Sequence, residues 1–155
     1  MAQLKNYILR ADTSSKQNII LIHGVEEIQN TDVYDSVTTL ISTKINIRIN
    51  KNDINCCYRL GAKKPGVSKP RPVVVSFCRR WQRDQIFYSK KHLKASSIMF
   101  TEMLSVDTLA IFRETRKHFK NECWTKSGQV IVLKDGVKVL VNTHKQLGEL
   151  IPSIS

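Results

Sequence analysis

Apolar residues recur along this chain at two spacings, about every second and about every 3.6 residues, and their order outlines the fold. Residues 18–24 (NIILIHG) form a short apolar run ended by glycine, which predicts a buried strand. Val33, Val37, Leu40, Ile41 and Ile45 then fall at helical spacing, with Asn30 or Thr31 as the cap and Asp32 in the first turn. Residues 54–60 (INCCYRL) predict a second strand, 61–69 (GAKKPGVSK) a loop punctuated by Gly and Pro, and 72–77 a third strand. A helix is expected over 79–94, with Gln82, Ile86, Ser89 and Leu93 on one side, and a fourth strand over 97–101.

The order strand–helix–strand–strand–helix–strand predicts an α+β domain over 18–102. It is ferredoxin-like, the arrangement shared by the RNA recognition motif. Right-handed crossovers put both helices behind one four-stranded antiparallel sheet. A small helix-plus-hairpin domain is expected over 103–151. Ser105 caps its helix, which runs to about residue 121 and carries Thr108, Ile111, Phe112, Thr115 and Phe119 on its core side. Three short β-like runs follow (123–125, 130–133 and 137–141), separated by Ser127-Gly128 and Asp135-Gly136, and 143–151 closes as a short helix. At about 50 residues this domain is small for independence and is expected to pack on the first. In 1–17, Leu4, Ile8 and Ala11 make a helical stripe of barely two turns, too short to be stable alone.

Charge changes the picture. The chain carries 25 Lys and Arg against 13 Asp and Glu, a net charge of +12. Of this, +10 falls within 58–94, where eleven basic residues meet the single acid Asp84. A partnerless cationic surface would scatter its lysines; this one concentrates them, which points to a polyanion. Lys63, Lys64 and Lys69 belong to the loop arm, together with Arg59 and Arg71. On the helix arm, Arg79, Arg80, Arg83, Lys90, Lys91 and Lys94 fall within an arc of about 120°. On the 105–121 helix, Arg113, Arg116, Lys117 and Lys120 share an arc of about 100°. The expected groove combines the loop arm with this last helix, leaving the helix arm as a secondary basic face.

Catalytic signatures are missing. The chain has no G-x-x-x-x-G-K-[ST], G-x-S-x-G or H-E-x-x-H, and neither the H-x-E nor the P-C-x-x-C of deaminases. Cys56, Cys57, Cys78 and Cys123 lack zinc spacing and read as reduced thiols of an intracellular protein, cytoplasmic or nuclear. No cofactor, metal or enzymatic activity is expected, nor any membrane partner, since the apolar runs are too short to span a bilayer. The first and third strands lack the aromatics on which RNA recognition motifs stack bases; Phe77 shares the core side with Val73 and Val75. Binding is therefore expected to grip phosphates rather than read bases. Trp81, Tyr88 and Trp124 are each weighed as packing against stacking, with Trp124 the best stacking candidate because Lys126 is its near neighbour. His23 reads as a structural or surface residue before it reads as a nucleic-acid contact.

NIILIHGV, YRLG, KPRPVVVSF, RRWQRDQIF, FTEMLS, IFRETRK and WTKSGQVIV stand in the order and spacing of one family. Over about 18–141 the chain resembles the first-open-reading-frame protein of insect-type non-LTR (LINE-class) retrotransposons and the C-terminal domain of baculovirus few-polyhedra (FP) proteins. The resemblance implies single-stranded RNA or DNA on a shared basic surface, coating of the element's RNA and nucleic-acid chaperone activity. By motif it implies contacts at Arg59, Arg71, Arg113, Arg116 and Lys117, with Trp124, Lys126 and Lys134 as weaker ones. Leu133 stands where family members often place Arg. The resemblance also implies an upstream coiled coil, with 1–17 as the candidate remnant of it, and self-association is expected only with such a segment. The alternative from another class is an FP-like protein-interaction adaptor that offers its basic face to acidic partners.

Overall fold

The computed structural model describes residues 16–151, so the stripe Leu4–Ala11 lies outside the described residues. The chain is mixed α+β with antiparallel sheets and divides into two compact units, Gln17–Met103 and the stretch from Leu104 onward.

The first unit runs β1 (Ile19–His23), α1 (Val33–Leu40), β2 (Ile54–Arg59), β3 (Val73–Phe77), α2 (Arg80–Tyr88) and β4 (Met99–Glu102). Its sheet order is β2-β3-β1-β4, every neighbour antiparallel. Alternation turns Ile20 and Ile22 of β1 and Val73, Val75 and Phe77 of β3 to one side. There they share a core with Val37, Ile41 and Ile45 from the first helical segment and Ile86 and Phe87 from α2. Both helices therefore cover the same face. Each fully buried side chain of this size contributes about 2 kcal/mol of burial free energy. In β2 the register shifts between Ile54 and Cys56, and this bulge lets Ile54 and Cys57, three residues apart, both face the core.

Two expectations need correction here. The cap of α1 is Asp32, not Asn30 or Thr31: its carboxylate accepts from the Tyr34 N–H at 3.0 Å, while Asn30 is already in the turn before at φ 61°. The helix expected over 79–94 stops at Tyr88 and is followed by a 3-10 turn, Lys90–Leu93, that still buries Leu93. Its core side is Gln82, Arg83, Ile86 and Phe87, so the core face cuts into the arc that the sequence assigns to cations. Arg83 is 3% exposed. Its guanidinium lies 4.5 Å from the Phe87 ring centroid, donates to the Ile19 carbonyl at 3.2 Å, and pairs with Asp84 at 2.9 Å and buried Glu102 at 3.7 Å. It ties α2 to β1 and β4.

The second unit runs α3 (Val106–Phe119), β5 (Cys123–Lys126), β6 (Gln129–Lys134), β7 (Val137–Val141) and α4 (His144–Leu150), with the strands in sequential antiparallel order. Ser105 caps α3, its hydroxyl accepting from the Thr108 N–H at 3.2 Å. Ile111 of α3 packs on Cys123, Val130, Val132, Val141 and Leu147. Both hairpin turns place a residue and its following glycine at positive φ, Ser127-Gly128 at 53° and 76° and Asp135-Gly136 at 51° and 77°, as twisted two-residue hairpins require.

Arg83→Met removes a buried guanidinium that bonds to the Ile19 carbonyl and pairs with Asp84 and Glu102, so urea unfolding is expected to show a loss of about 3 kcal/mol. Arg80→Met, on the exposed side of α2, is expected to cost less than about 1 kcal/mol. Gly24 closes β1 at φ 90°, and a Cβ there would collide with the Ser97 carbonyl oxygen. Gly24→Ala is therefore expected to lower thermal stability by several degrees, as read by circular dichroism.

Candidate nucleic-acid interface

The loop between β2 and β3 carries the densest charge of the first unit. Lys63, Lys64 and Lys69 are exposed, and no side-chain hydrogen bond or ion pair ties any of them to a described residue. The two arginines expected beside them are engaged internally. Arg59 donates from Nη1 to the Val25 carbonyl at 2.6 Å and to the Arg71 carbonyl at 2.9 Å, and from Nη2 to the Glu26 carbonyl at 2.7 Å. Arg71 donates to Glu27 Oε1 from Nε at 2.9 Å and Nη2 at 2.6 Å, and from Nη1 to the Gly61 carbonyl at 2.9 Å. These hydrogen bonds hold the Glu27 carboxyl below its ordinary range.

Across the sheet, Tyr58, Val74, Leu21 and Thr101 form one row on the face turned away from the helices. Tyr58 is 47% exposed at the sheet edge, one residue from Arg59. It is the aromatic that the sequence reasoning missed: attention to β1 and β3 passed over β2, although a core-facing Cys57 already puts Tyr58 on this face. In β1 and β3 the same face shows only Ile19, Leu21, His23, Val74 and Ser76, so the paired aromatics of a standard stacking surface are not there. His23 bonds to Thr101 Oγ1 at 2.8 Å across to β4, as a structural residue would. Burial first, and the charge of Lys69 second, hold its pKa below the ordinary imidazole value.

The helix arm does not form one basic face. Arg79 pairs with Asp53 at 3.1 Å, Arg80 bonds to Asp84 and Gln17, Arg83 is buried, and Lys90 sits 4.2 Å from the Phe87 ring centroid. Of the six, Lys90, Lys91 and Lys94 are exposed with no side-chain hydrogen bond or ion pair to a described residue, and the Lys90 ammonium is drawn over the Phe87 ring. Trp81 and Tyr88, weighed first as packing residues, are 65% and 53% exposed.

In the second unit, Arg113, Arg116, Lys117 and Lys120 are all exposed along one side of α3 and its end. The side chains of Arg113 and Lys120 make no hydrogen bond or ion pair with a described residue. Arg116 lies 5.7 Å from the Phe112 ring centroid, and Lys117 pairs with Glu114 at 3.2 Å. On the three-stranded sheet, Trp124 pairs with Ile131 and Ile131 with Leu140 on the face opposite the core, while Lys126 is exposed at the first turn. Lys138, which sequence reasoning did not select, places Nζ 5.9 Å from the Trp124 ring centroid. The two-residue turns set the register that brings them together, so counting back from the turns would have found it. Lys134 instead donates to the Leu150 carbonyl at 2.7 Å, at the end of α4.

No protein-family model matches this chain, and no curated protein matches it. Among the described residues no group of three or more His, Cys, Asp or Glu could hold a metal ion, and no helix is long and apolar enough to cross a membrane. All four cysteines are free; burial pushes the Cys57 thiol up to about 12 and raises that of Cys123, so neither supplies a ready thiolate.

His23 has a folded-state pKa below its unfolded one, so below the ordinary imidazole pKa the unfolded chain binds the additional proton. Stability is expected to fall as pH drops from 7 to 5, and His23→Gln is expected to flatten that decline in urea titrations at each pH.

Proposed function

We propose that this protein binds single-stranded RNA or DNA through the phosphate backbone, largely without regard to sequence. The observation that carries this is the side of α3: Arg113, Arg116 and Lys117 recur at i, i+3 and i+4, exposed, over about 6 Å of helix, and exposed Lys120 follows at its C-cap. Trp124 with Lys126 and Lys138 on the adjoining sheet adds one ring and two further cations. The first unit by itself offers Lys63, Lys64 and Lys69, exposed on the loop that follows β2, and the exposed ring of Tyr58 in that strand. A single ring of this kind stacks any base and is worth about 1–3 kcal/mol, which favours unpaired strands without specifying them. We assign the first unit to the ferredoxin-like, RRM-like class, which its strand order and same-side helices support. The second is assigned as a small helix-plus-hairpin domain. The motif series from NIILIHGV to WTKSGQVIV supports a transposable-element origin among the ORF1 and FP relatives, with a ribonucleoprotein or chaperone role.

One observation favours the adaptor as second reading. Trp81 and Tyr88 stand exposed on α2, with Lys91 following, an anchor pair suited to an acidic protein segment.

Filter binding of single-stranded RNA, single-stranded DNA and duplex across a salt series decides between them. Contact with about six phosphates gives a slope of log K against log salt of about −4 for single strands. Replacing Arg113, Arg116 and Lys117 by Ala is expected to weaken binding to all sequences alike and to flatten the slope by about 2 units. Tight binding by this variant at unchanged slope rejects the assignment. No binding of any strand at low salt favours the adaptor.

A further inference from the structure

The loop of 61–71 holds three of the cations assigned to binding, yet no side-chain hydrogen bond or ion pair joins its lysines to the rest of the described protein. Gly61 and Gly66 are both at positive φ, and Pro65 and Pro70 interrupt the segment, so no strand or helix runs through it. Its base is closed by the Leu60 N–H donating to the Pro72 carbonyl at 2.8 Å. What ties it to the body is Arg71. From the far end of the loop, Arg71 reaches the Gly61 carbonyl at its near end, and its other guanidinium nitrogens reach Glu27 in the β1–α1 connection. The Arg71 backbone N–H adds a bond to Glu27 Oε2 at 3.3 Å. Arg59 clamps the same junction from beneath through carbonyls of Val25, Glu26 and Arg71.

We infer that Glu27 is a positioning residue for nucleic-acid binding: its carboxylate straps the β2–β3 loop so that Lys63, Lys64 and Lys69 are held ready for phosphates. The inference rests on the backbone-binding function proposed above. It makes a prediction opposite to simple electrostatics. An acid beside a phosphate-binding loop repels the ligand, so its removal would ordinarily strengthen binding. Here removal of the acid frees the loop, and each phosphate that is no longer gripped costs about fivefold in affinity at 0.1 M salt.

Glu26 is the internal control. It is the adjacent residue and exposed, and its carboxylate makes no hydrogen bond or ion pair with a described residue. Glu26→Gln and Glu27→Gln change the charge identically, and only the second weakens the strap, which loses its ion pair and the oxygen that accepts from the Arg71 backbone N–H. The assay uses the full chain with a 30-nucleotide oligouridylate across a salt series, alongside urea unfolding and limited trypsin digestion. Lys63 is a direct reporter, because Lys64, Lys69 and Arg71 are each followed by proline, which blocks trypsin, and the Lys63–Lys64 bond is not.

The expected result is that Glu26→Gln binds at least as tightly as wild type. Glu27→Gln is expected to bind about fivefold more weakly with a flatter salt slope, and to be cut faster after Lys63 at unchanged global stability. Arg71→Lys keeps the charge but gives up the fork onto Glu27, and is expected to behave as Glu27→Gln does; it stands in should Glu27→Gln prove unstable. Glu27→Gln matching Glu26→Gln in affinity, slope and cleavage overturns the strap while leaving the binding function intact. Wild type failing to bind overturns that function instead. The cleavage comparison still judges the strap: equal rates after Lys63 refute it, and a faster rate in Glu27→Gln upholds it.

Discussion

A guanidinium drawn into a protein must find acceptors for its donors, and in the first unit three arginines are organised by that requirement. Arg59 satisfies itself on three backbone carbonyls from two connections. Arg71 forks onto Glu27, and Arg83 lies under the sheet between Asp84, Glu102 and the Ile19 carbonyl. The same fork geometry that suits phosphate also suits carboxylates and carbonyls, so arginine is the cation most readily used internally. The lysines that remain exposed, with single compact charges on long stems, are the ones left for a ligand. Counting all cations alike overstates the first unit's exposed positive charge and hides how its loop is held.

The second helix shows how burial overrides charge pattern. Phe87 and Arg83 lie on the side that places Ile86 against the sheet, and the aromatic ring and the aliphatic stem of the arginine fill that space together. Once Arg83 is inside, the basic arc has lost its middle. The helix then ends at Tyr88, so Lys90, Lys91 and Lys94 no longer follow the 100° step on which the arc depends. Trp81 and Tyr88 are left outside, half or more exposed. In α3 the opposite holds: Ile111 and Thr115 take the core side, and Arg113, Arg116 and Lys117 keep clear of it. Of the basic helix faces seen in the sequence, only this one persists as a face.

The two sheets divide the chemistry. In the first, β1 and β3 lie at the centre with aliphatic side chains, and the one exposed aromatic ring of their outer face comes from edge strand β2. In the second, three strands joined by two-residue turns put Trp124 on an outward row with Lys138 beside its ring. Each sheet thus offers a single ring among cations rather than a run of rings. Such a layout suits the proposed backbone grip better than base reading.

Periodicity in the sequence by itself determined the elements and their order. Alternating Ile20 and Ile22, the 3.6-residue spacing of Val37, Ile41 and Ile45, the Ser105 cap and the glycine turns at 128 and 136 are local signals, and local geometry obeys them. Charge density and the α3 face were legible for the same reason. The tertiary structure alone decided which cations are free. Whether Arg59, Arg71, Arg83 or Lys134 faces solvent depends on carbonyls and carboxylates that lie 16 to 44 residues away for Arg59 to Glu26 and Val25, Arg71 to Glu27 and Lys134 to Leu150, or in β1 and β4 for Arg83. No spacing rule within a helix or strand contains those partners, because they become neighbours only when the chain folds.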